Sequence, residues 1–316
     1  MNIVMVSTND PAGTAISFMH AINRHTEHQC RLITTEIRYN FMFEKDLHLP
    51  WLKEFGEVEQ VLRQADLFHF HMGADEDLPL GPFRVRDFLK DQPVIHHHHG
   101  EPAFRENPRR FADREKELGR KGIVSTPDLL RGYPEATWIP NIVPMNTDPY
   151  LPKKSVKSGD TIVVGHSPTK KELKNTAEFR CVMERISERK GEVTSRIIEN
   201  TPHLECLSLK RDCDIFFDHM QGYFGVSSLE ALSQGVPTIA GLDEWNIDHL
   251  RAFAGRDDLP WVIARDESEL EGVVEDLISS STLRMRIGNQ SRRWMEECWG
   301  EGPIAEKLGQ VYEGAR

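Results

Sequence analysis

The stretch from Cys213 to Gly241, CDIFFDHMQGYFGVSSLEALSQGVPTIAG, constrains the fold of this chain more than any other. Ile215-Phe216-Phe217 is a short apolar run bounded by Asp214 and Asp218, as suits a strand buried on both faces. A glycine loop follows, from Gly222 through Tyr223 to Gly225. Val226, Leu229 and Leu232 then fall on one side of an amphipathic helix. Gly235 stops that helix, and Pro237 lies two residues on. Thr238-Ile239-Ala240 reads as the next buried strand.

A glycine loop that opens a helix leaves backbone N–H groups unpaired at the positive end of the dipole, which makes a ready anion site. Ser227 and Ser228 in the first turn bring two hydroxyls within reach of phosphate oxygens. Glu230, one turn in, can accept hydrogen bonds from a ribose diol. An ordinary βα unit also needs glycine in its loops, so the glycines alone leave both readings open.

The stretch resembles the nucleotide-sugar signature of retaining glycosyltransferases of the GT-B fold, the large family 4 type. That signature runs roughly E-G-F-G-x-x-x-x-E-A-x-x-x-G-x-P-V, and Phe224, Gly225, Glu230, Ala231, Gly235 and Pro237 stand in register with it. Gly222 stands at the first acidic position, with Asp218 and Gln221 as the nearest polar substitutes. The resemblance implies two Rossmann-like α/β domains facing a cleft, with a C-terminal helix returning to the first.

The first half carries three strand-like runs that bear on the site. Asn2–Ser7 is a buried-type strand, followed by a loop to Gly13 and a helix from about Thr14 to Arg24. The turn lacks G-x-G-x-x-G and fails as a dinucleotide fingerprint. Gly13 and Thr14 resemble the small-residue loop that faces the cleft in GT-B enzymes. A second strand runs Cys30–Thr35, Val58–Arg63 reads as helix, and the aromatic segment Tyr39–Phe55 reads as a packed loop or a lid. Asp66–Gly73 reads as a strand ending in His69 and His71, and Asp91–Gly100 as one ending in four histidines. Parallel strands that end alike place these rings at one sheet edge, where open α/β sheets bind ligands. Alternation puts His97 and His99 on one face. His99 before Gly100 resembles the step at which the family brings a histidine to the donor sugar.

Asp148–Gly159 is rich in Pro, Lys and Ser and marks the domain boundary, giving domains over 1–149 and 159–296 and a tail over 297–316. Thr161–Gly165 opens a fresh strand. The loop from His166 to Thr176 then leads into a helix with Phe179, Val182, Met183 and Ile186 on one face. A lysine at a helix start is poorly served by the dipole unless it meets a bound anion. The loop resembles one branch of the family's first phosphate loop, H-A-P-T-x-x-x-x-K-G-T. His166, Pro168, Thr169, Lys174 and Thr176 match it, and Asn175 replaces the glycine. The resemblance implies Lys174 as diphosphate clamp, assisted by His166, Thr169 or Lys171. It also implies a nucleobase against Glu199, Asn200 and Thr201. Trp261–Ala264 reads as the last strand, and Ile304, Leu308, Val311 and Tyr312 mark a final helix.

The length of 316 residues allows two full cores. A net charge of −11 argues against nucleic acid as the main partner. Five scattered cysteines without a CxxC pair fit a reduced, cytoplasmic interior better than a disulfide framework. The N-terminus runs straight into a strand, and no apolar run approaches the length of a membrane span.

The expected activity is transfer of a sugar from a UDP- or GDP-linked donor to a glycan, lipid-linked or other hydroxyl acceptor, without cofactor or metal. Lys174 and the helix behind Gly225, Val226, Ser227 and Ser228 would stabilise the leaving diphosphate. Glu230 would hold the ribose and His99 the sugar. His69, His71, Asp218, Gln221, Gly222 and Tyr223 would line the cleft. The resemblance implies retention of configuration and allows a weak peripheral membrane contact. Three other readings stay in view. One is a nucleotide-sugar epimerase, which would need acid/base carboxylates. Another is a non-catalytic nucleotide-sugar binder, which Gly222 favours. The third is a metal hydrolase built on H-x-H with Asp75 and Asp77. The D-x-D triplets at 75–77 and 212–214 follow no apolar strand directly and read as surface acids.

Overall fold

A computed structural model describes residues 1–39, 42–153, 161–191 and 193–315. The chain forms two compact units: Met1–Ile142 joined by Glu301–Arg316, and Val143–Gly300.

The first unit is built on seven strands: β1 (Asn2–Ser7), β2 (Gln29–Thr34), β3 (Leu47–His48), β4 (Leu67–His71), β5 (Val94–His98), β6 (Lys121–Val124) and β7 (Thr137–Trp138). All pairings are parallel, in the order β3-β2-β1-β4-β5-β6-β7. The helices between them are α1 (Thr14–His25), α2 (Gly56–Arg63), α3 (Pro102–Glu106) and α4 (Pro108–Glu117). A parallel sheet must be covered on both faces. Val4, Val6, Ile33, Phe68 and Phe70 build one apolar core with Val58 and Leu62 of α2. The opposite face lies under α1 and the last helix, which pack on each other.

The second unit holds β8 (Ile162–His166), β9 (Val193–Ile197), β10 (Ile215–Phe217), β11 (Thr238–Ala240) and β12 (Trp261–Ile263), in the parallel order β12-β11-β10-β8-β9. Its helices are α5 (Thr176–Arg189), α6 (His203–Arg211), α7 (Val226–Ser233), α8 (Glu244–Ala254), α9 (Glu267–Ser279) and α10 (Ser281–Cys298). Ile215 and Phe217 join the core of Phe179, Val182, Met183, Ile186, Leu270 and Val274, while Phe216 packs with Ala231 and Val236 on the other face. The three-residue run is thus buried on both sides, as its sequence demands. Each such side chain contributes roughly 1.5–3 kcal/mol on burial.

The last helix, α11 (Glu301–Glu313), belongs to the first unit. Ile304, Leu308 and Tyr312 are buried, and Glu301 pairs with Arg24 of α1 at 2.6 Å. The unit boundaries differ from the sequence expectation. Residues 143–153 lie with the second unit because its side chains take up their carbonyls. Arg292 Nη1 donates to Met145 O at 2.9 Å, and Gln234 Nε2 donates to Pro149 O at 2.9 Å. The expected linker lies outside the described residues from 154 onward. Pro303 sits inside the first turn of α11, where its missing N–H costs nothing.

Candidate functional site

The second sheet reverses direction between β8 and β10, since β9 lies outside β8 while β10 to β12 run the other way. Loops leaving the carboxyl ends of β8 and β10 diverge there, the position at which open α/β sheets hold ligands. The register sets Phe217 beside His166, so the β8 loop and the β10 loop start as neighbours.

Asp218 leaves β10 and is 2 % exposed. Its Oδ1 accepts from Lys174 Nζ at 2.9 Å and its Oδ2 from the Gly225 N–H at 2.7 Å. Burial alone would raise its pKa, but the charges of His219 and Lys174 and the Gly225 N–H hold the carboxyl well below the usual range. A Cβ on Gly225 would stand 2.8 Å from Lys174 Nζ, so it is close approach that calls for glycine here. Asn175 has φ 52°, a backbone that glycine or asparagine adopts most readily. Its Oδ1 accepts from the Met220 N–H at 2.8 Å and from Gln221 Nε2 at 3.1 Å, which ties one loop to the other.

Two helices start at this point, and neither has a side-chain cap: α5 begins after Asn175 and α7 after Gly225, with no acid in the first turn of α7. Helices α8, α9 and α10 are capped by Asp243, Asp266 and Ser280. Uncapped N-termini leave N–H donors for an anion. The first unit closes the matching position with its own carboxylate. Asp10 accepts from the Ala15 N–H at 3.2 Å and the Ile16 N–H at 3.0 Å, and Thr14 Oγ1 donates to it at 3.4 Å. Gly13 and Thr14 therefore open a helix that already holds an anion. The aromatic segment after them lines, with Asn9, Asp10 and Pro11, a cavity of about 240 Å³ to which Phe43 and Trp51 contribute.

Around the Lys174–Asp218 pair, Ser227 Oγ lies 2.6 Å from Ser167 Oγ and accepts from Lys210 Nζ at 2.6 Å. Val226 is half-buried at the helix start. Lys171 pairs with Glu199 at 2.8 Å, and Thr201 Oγ1 donates to Glu199 O at 2.9 Å, so the phosphate-loop and base-loop candidates meet. Thr169 and Asn200 are exposed. Tyr223 packs its ring 4.7 Å from His219.

Two residues expected at the phosphate lie in the core instead. Ser228 is fully buried, and its hydroxyl accepts from Trp261 Nε1 at 2.5 Å. His166 is 1 % exposed, with Nδ1 on Phe217 O at 3.1 Å and Nε2 on Thr176 Oγ1 at 2.9 Å, so both ring nitrogens are engaged. Its burial lowers the pKa to about 4, and the ring is a neutral brace beneath α5.

Glu230 is also buried, joined to Lys210 Nζ and to His203 Nε2, the latter at 2.7 Å. Against burial, which raises it, Lys210 and His203 lower the carboxyl to about 2. Sequence reasoning missed both partners because α6 shows little periodicity. A signal was present: Lys210 follows buried Leu207 by three residues, so a charge stands on the core-facing stripe. Gly222 has φ 88°, and a Cβ there would stand 3.2 Å from Asp243 Oδ2. Gly222 O accepts from the Asp243 N–H at 2.8 Å. A glutamate at 222 would be strained and crowded.

In the first unit, His69, His71, His97 and His99 share one sheet face. His97 and His99 stack at 4.1 Å, as alternation requires. His99 is half-buried, and both ring nitrogens are bonded inside the unit, Nε2 to His71 Nδ1 at 2.9 Å and Nδ1 to Ser125 Oγ at 2.6 Å. Burial lowers its pKa to about 4. Asp75 and Asp77 lie in ion pairs with Arg114 and Arg86.

No family model matches the chain, and no curated protein matches it in sequence. Solved structures do match. One is an alpha-glucosyltransferase in complex with UDP-glucose and DNA containing an abasic site: TM-score 0.67, 10% identity, 98% of this chain and 98% of that chain covered. Another is Anabaena HepE in complex with UDP and glucose: TM-score 0.66, 12% identity, 99% of each chain covered. A third is a mutant of S. aureus TarM in complex with Fondaparinux, alpha-GlcNAc-glycerol and UDP: TM-score 0.58, 13% identity, 78% of this chain covered. This chain spans 55% of the length of that protein.

Proposed function

The chain has the GT-B glycosyltransferase fold, and we propose that it transfers a sugar from a nucleoside-diphosphate donor to a hydroxyl acceptor. The observation that carries this reading is the pair of uncapped helix starts at the switch point of the second sheet, with Lys174 beside them. The N–H groups of α5 and α7 and the lysine ammonium would face the diphosphate. As the sugar–phosphate bond breaks, charge grows on the leaving oxygen, and donors already fixed in place stabilise it without reorganisation. Asp218 keeps the lysine extended across the loop. On substrate binding the ammonium shifts from the carboxylate toward phosphate. Glu230, held ionised by Lys210 and His203, would accept from the ribose diol. Solved neighbours crystallised with UDP, UDP-glucose or UDP and glucose support this donor class. The net charge of −11 supports an acceptor other than DNA. The resemblance of the Phe224–Pro237 signature supports retention, and the lysine and helix donors supply the stabilisation a metal would otherwise give.

Gly222 favours a second reading, a protein that binds the nucleotide sugar without transferring it, because this position admits no carboxylate side chain without strain. Turnover separates the two. The full chain is incubated with UDP-, GDP- and ADP-linked sugars, with and without hydroxyl acceptors, and released nucleoside diphosphate is measured. Release from one donor, lost in Lys174→Ala, is the expected result. Tight binding with no release from any donor establishes the binder. Absence of both binding and release removes the nucleotide-sugar reading.

A further inference from the structure

The histidines of the first unit form a second centre that sugar transfer does not use. His69 and His71 sit two apart on β4, and His97 lies opposite His71 on β5. All three are fully buried. Nε2 of His69, Nε2 of His71 and Nδ1 of His97 have no hydrogen-bond partner among the described residues. One ring nitrogen of each residue lies within 4.8 Å of the others. Leaving one buried polar atom unpaired costs about 1–3 kcal/mol, and each of these three neighbouring rings carries one.

The remaining ring nitrogens are compatible with one set of tautomers that leaves the three unpartnered nitrogens their lone pairs. His69 Nδ1–H donates to Tyr312 Oη at 2.8 Å. His71 Nδ1–H donates to His99 Nε2 at 2.9 Å, and His99 Nδ1–H donates to Ser125 Oγ at 2.6 Å. His97 Nε2–H donates to the same hydroxyl oxygen at 3.0 Å. Every bond is satisfied when Nε2 of His69, Nε2 of His71 and Nδ1 of His97 carry lone pairs. A ligand histidine whose second N–H is held by an outer partner is the arrangement found around bound metals. Phe18 of α1 packs 5.3 Å from the His97 ring and gives the place an apolar wall.

We propose that His69, His71 and His97 bind one divalent transition metal, zinc in the first instance, with Tyr312, His99 and Ser125 orienting them. Three imidazoles with a fourth position for water suit zinc at about 2.0–2.1 Å from each nitrogen. The rings stack, His69 on His71 at 4.3 Å and His69 on His97 at 5.4 Å, so binding requires them to turn until their in-plane lone pairs converge on the ion. The ion would tie β4 to β5 and, through Tyr312, to α11. The centre lies within the first unit, so this proposal stands apart from the nucleotide site and is tested without it.

The full chain, with any affinity tag removed, is produced in zinc-supplemented medium, desalted into metal-free buffer and analysed for metal content. About one zinc per chain is expected, falling to background in His71→Asn/His97→Asn and unchanged in His203→Asn. To keep the test decisive if the double variant fails to fold, wild-type protein is also refolded with cobalt(II). A visible d–d band of a four- or five-coordinate ion is expected to appear as the chain folds. Wild type that carries no metal and gives no cobalt band overturns the proposal. So does a folded double variant that keeps its zinc.

Discussion

At the scale of single residues, the Lys174–Asp218–Gly225 contact makes the sharpest predictions. Gly225→Ala adds a methyl 2.8 Å from Lys174 Nζ and 3.4 Å from the Asp218 carboxylate, at an ordinary φ of −104°. The backbone tolerates it while the lysine is pushed aside. Nucleoside-diphosphate affinity should fall about tenfold, roughly 1.4 kcal/mol, with little change in the melting temperature. Asn175 offers a contrast. Its φ of 52° makes alanine strained, so Asn175→Ala should destabilise the protein by about 1–2 kcal/mol, and Asn175→Gly by less. Urea unfolding of the two variants checks this, and equal losses would show that the side-chain bonds, not the backbone, dominate. Lys174 and Gly225 stand at signature positions of the sequence, whereas Asn175 stands where the resembling pattern has glycine. Ser228 and His166 were placed wrongly at the phosphate. His166 matches the phosphate-loop pattern and Ser228 was read from its place in the first helical turn, but only the packed structure shows Thr176 and Trp261 taking their polar atoms.

At the scale of elements, helix starts divide the molecule's chemistry. Helix α1 holds Asp10 on its first-turn N–H groups, whereas α5 and α7 have no side-chain cap of their own and Asp218 reaches the Gly225 N–H ahead of α7. Asp10→Ala should cost about 0.5–2 kcal/mol through the lost cap, and nucleotide binding should not change. Helix α6 brings Lys210 and His203 to Glu230. Lys210→Met leaves the buried Glu230 carboxylate with His203 but without its lysine and should cost about 3–5 kcal/mol, most of it recovered in Lys210→Met/Glu230→Met. Chemical denaturation of the three proteins decides this, and additive losses would contradict it. The same pairing sets a pH dependence. Glu230 titrates near 2 when folded against 4.5 ordinarily, so its stabilisation is complete above about pH 4.5 and is lost as pH falls toward 2. Strands and the helices α1, α2, α5, α7, α9 and α11 could be read from apolar runs and 3.6-residue spacing. Helices α3, α4, α6, α8 and the longest, α10, were missed because few of their residues are buried, which leaves little pattern to read.

At the scale of the whole molecule, two parallel sheets were legible from the alternation of strands and helices, as was the return of the last helix. The unit boundaries were less so, because residues 143–153 look like a linker in composition yet are bound by Arg292 and Gln234. Among the described residues no cysteine forms a disulfide, and no helix is long and apolar enough to cross a membrane. The central claim concerns the second unit's switch point, and isothermal calorimetry of UDP, GDP and ADP tests it most directly. Wild type is compared with Lys174→Ala in magnesium-free buffer containing chelator. One diphosphate should bind with micromolar affinity, and the variant should lose at least tenfold. If no nucleotide binds, or if Lys174→Ala binds as tightly as wild type, the account of this site is wrong.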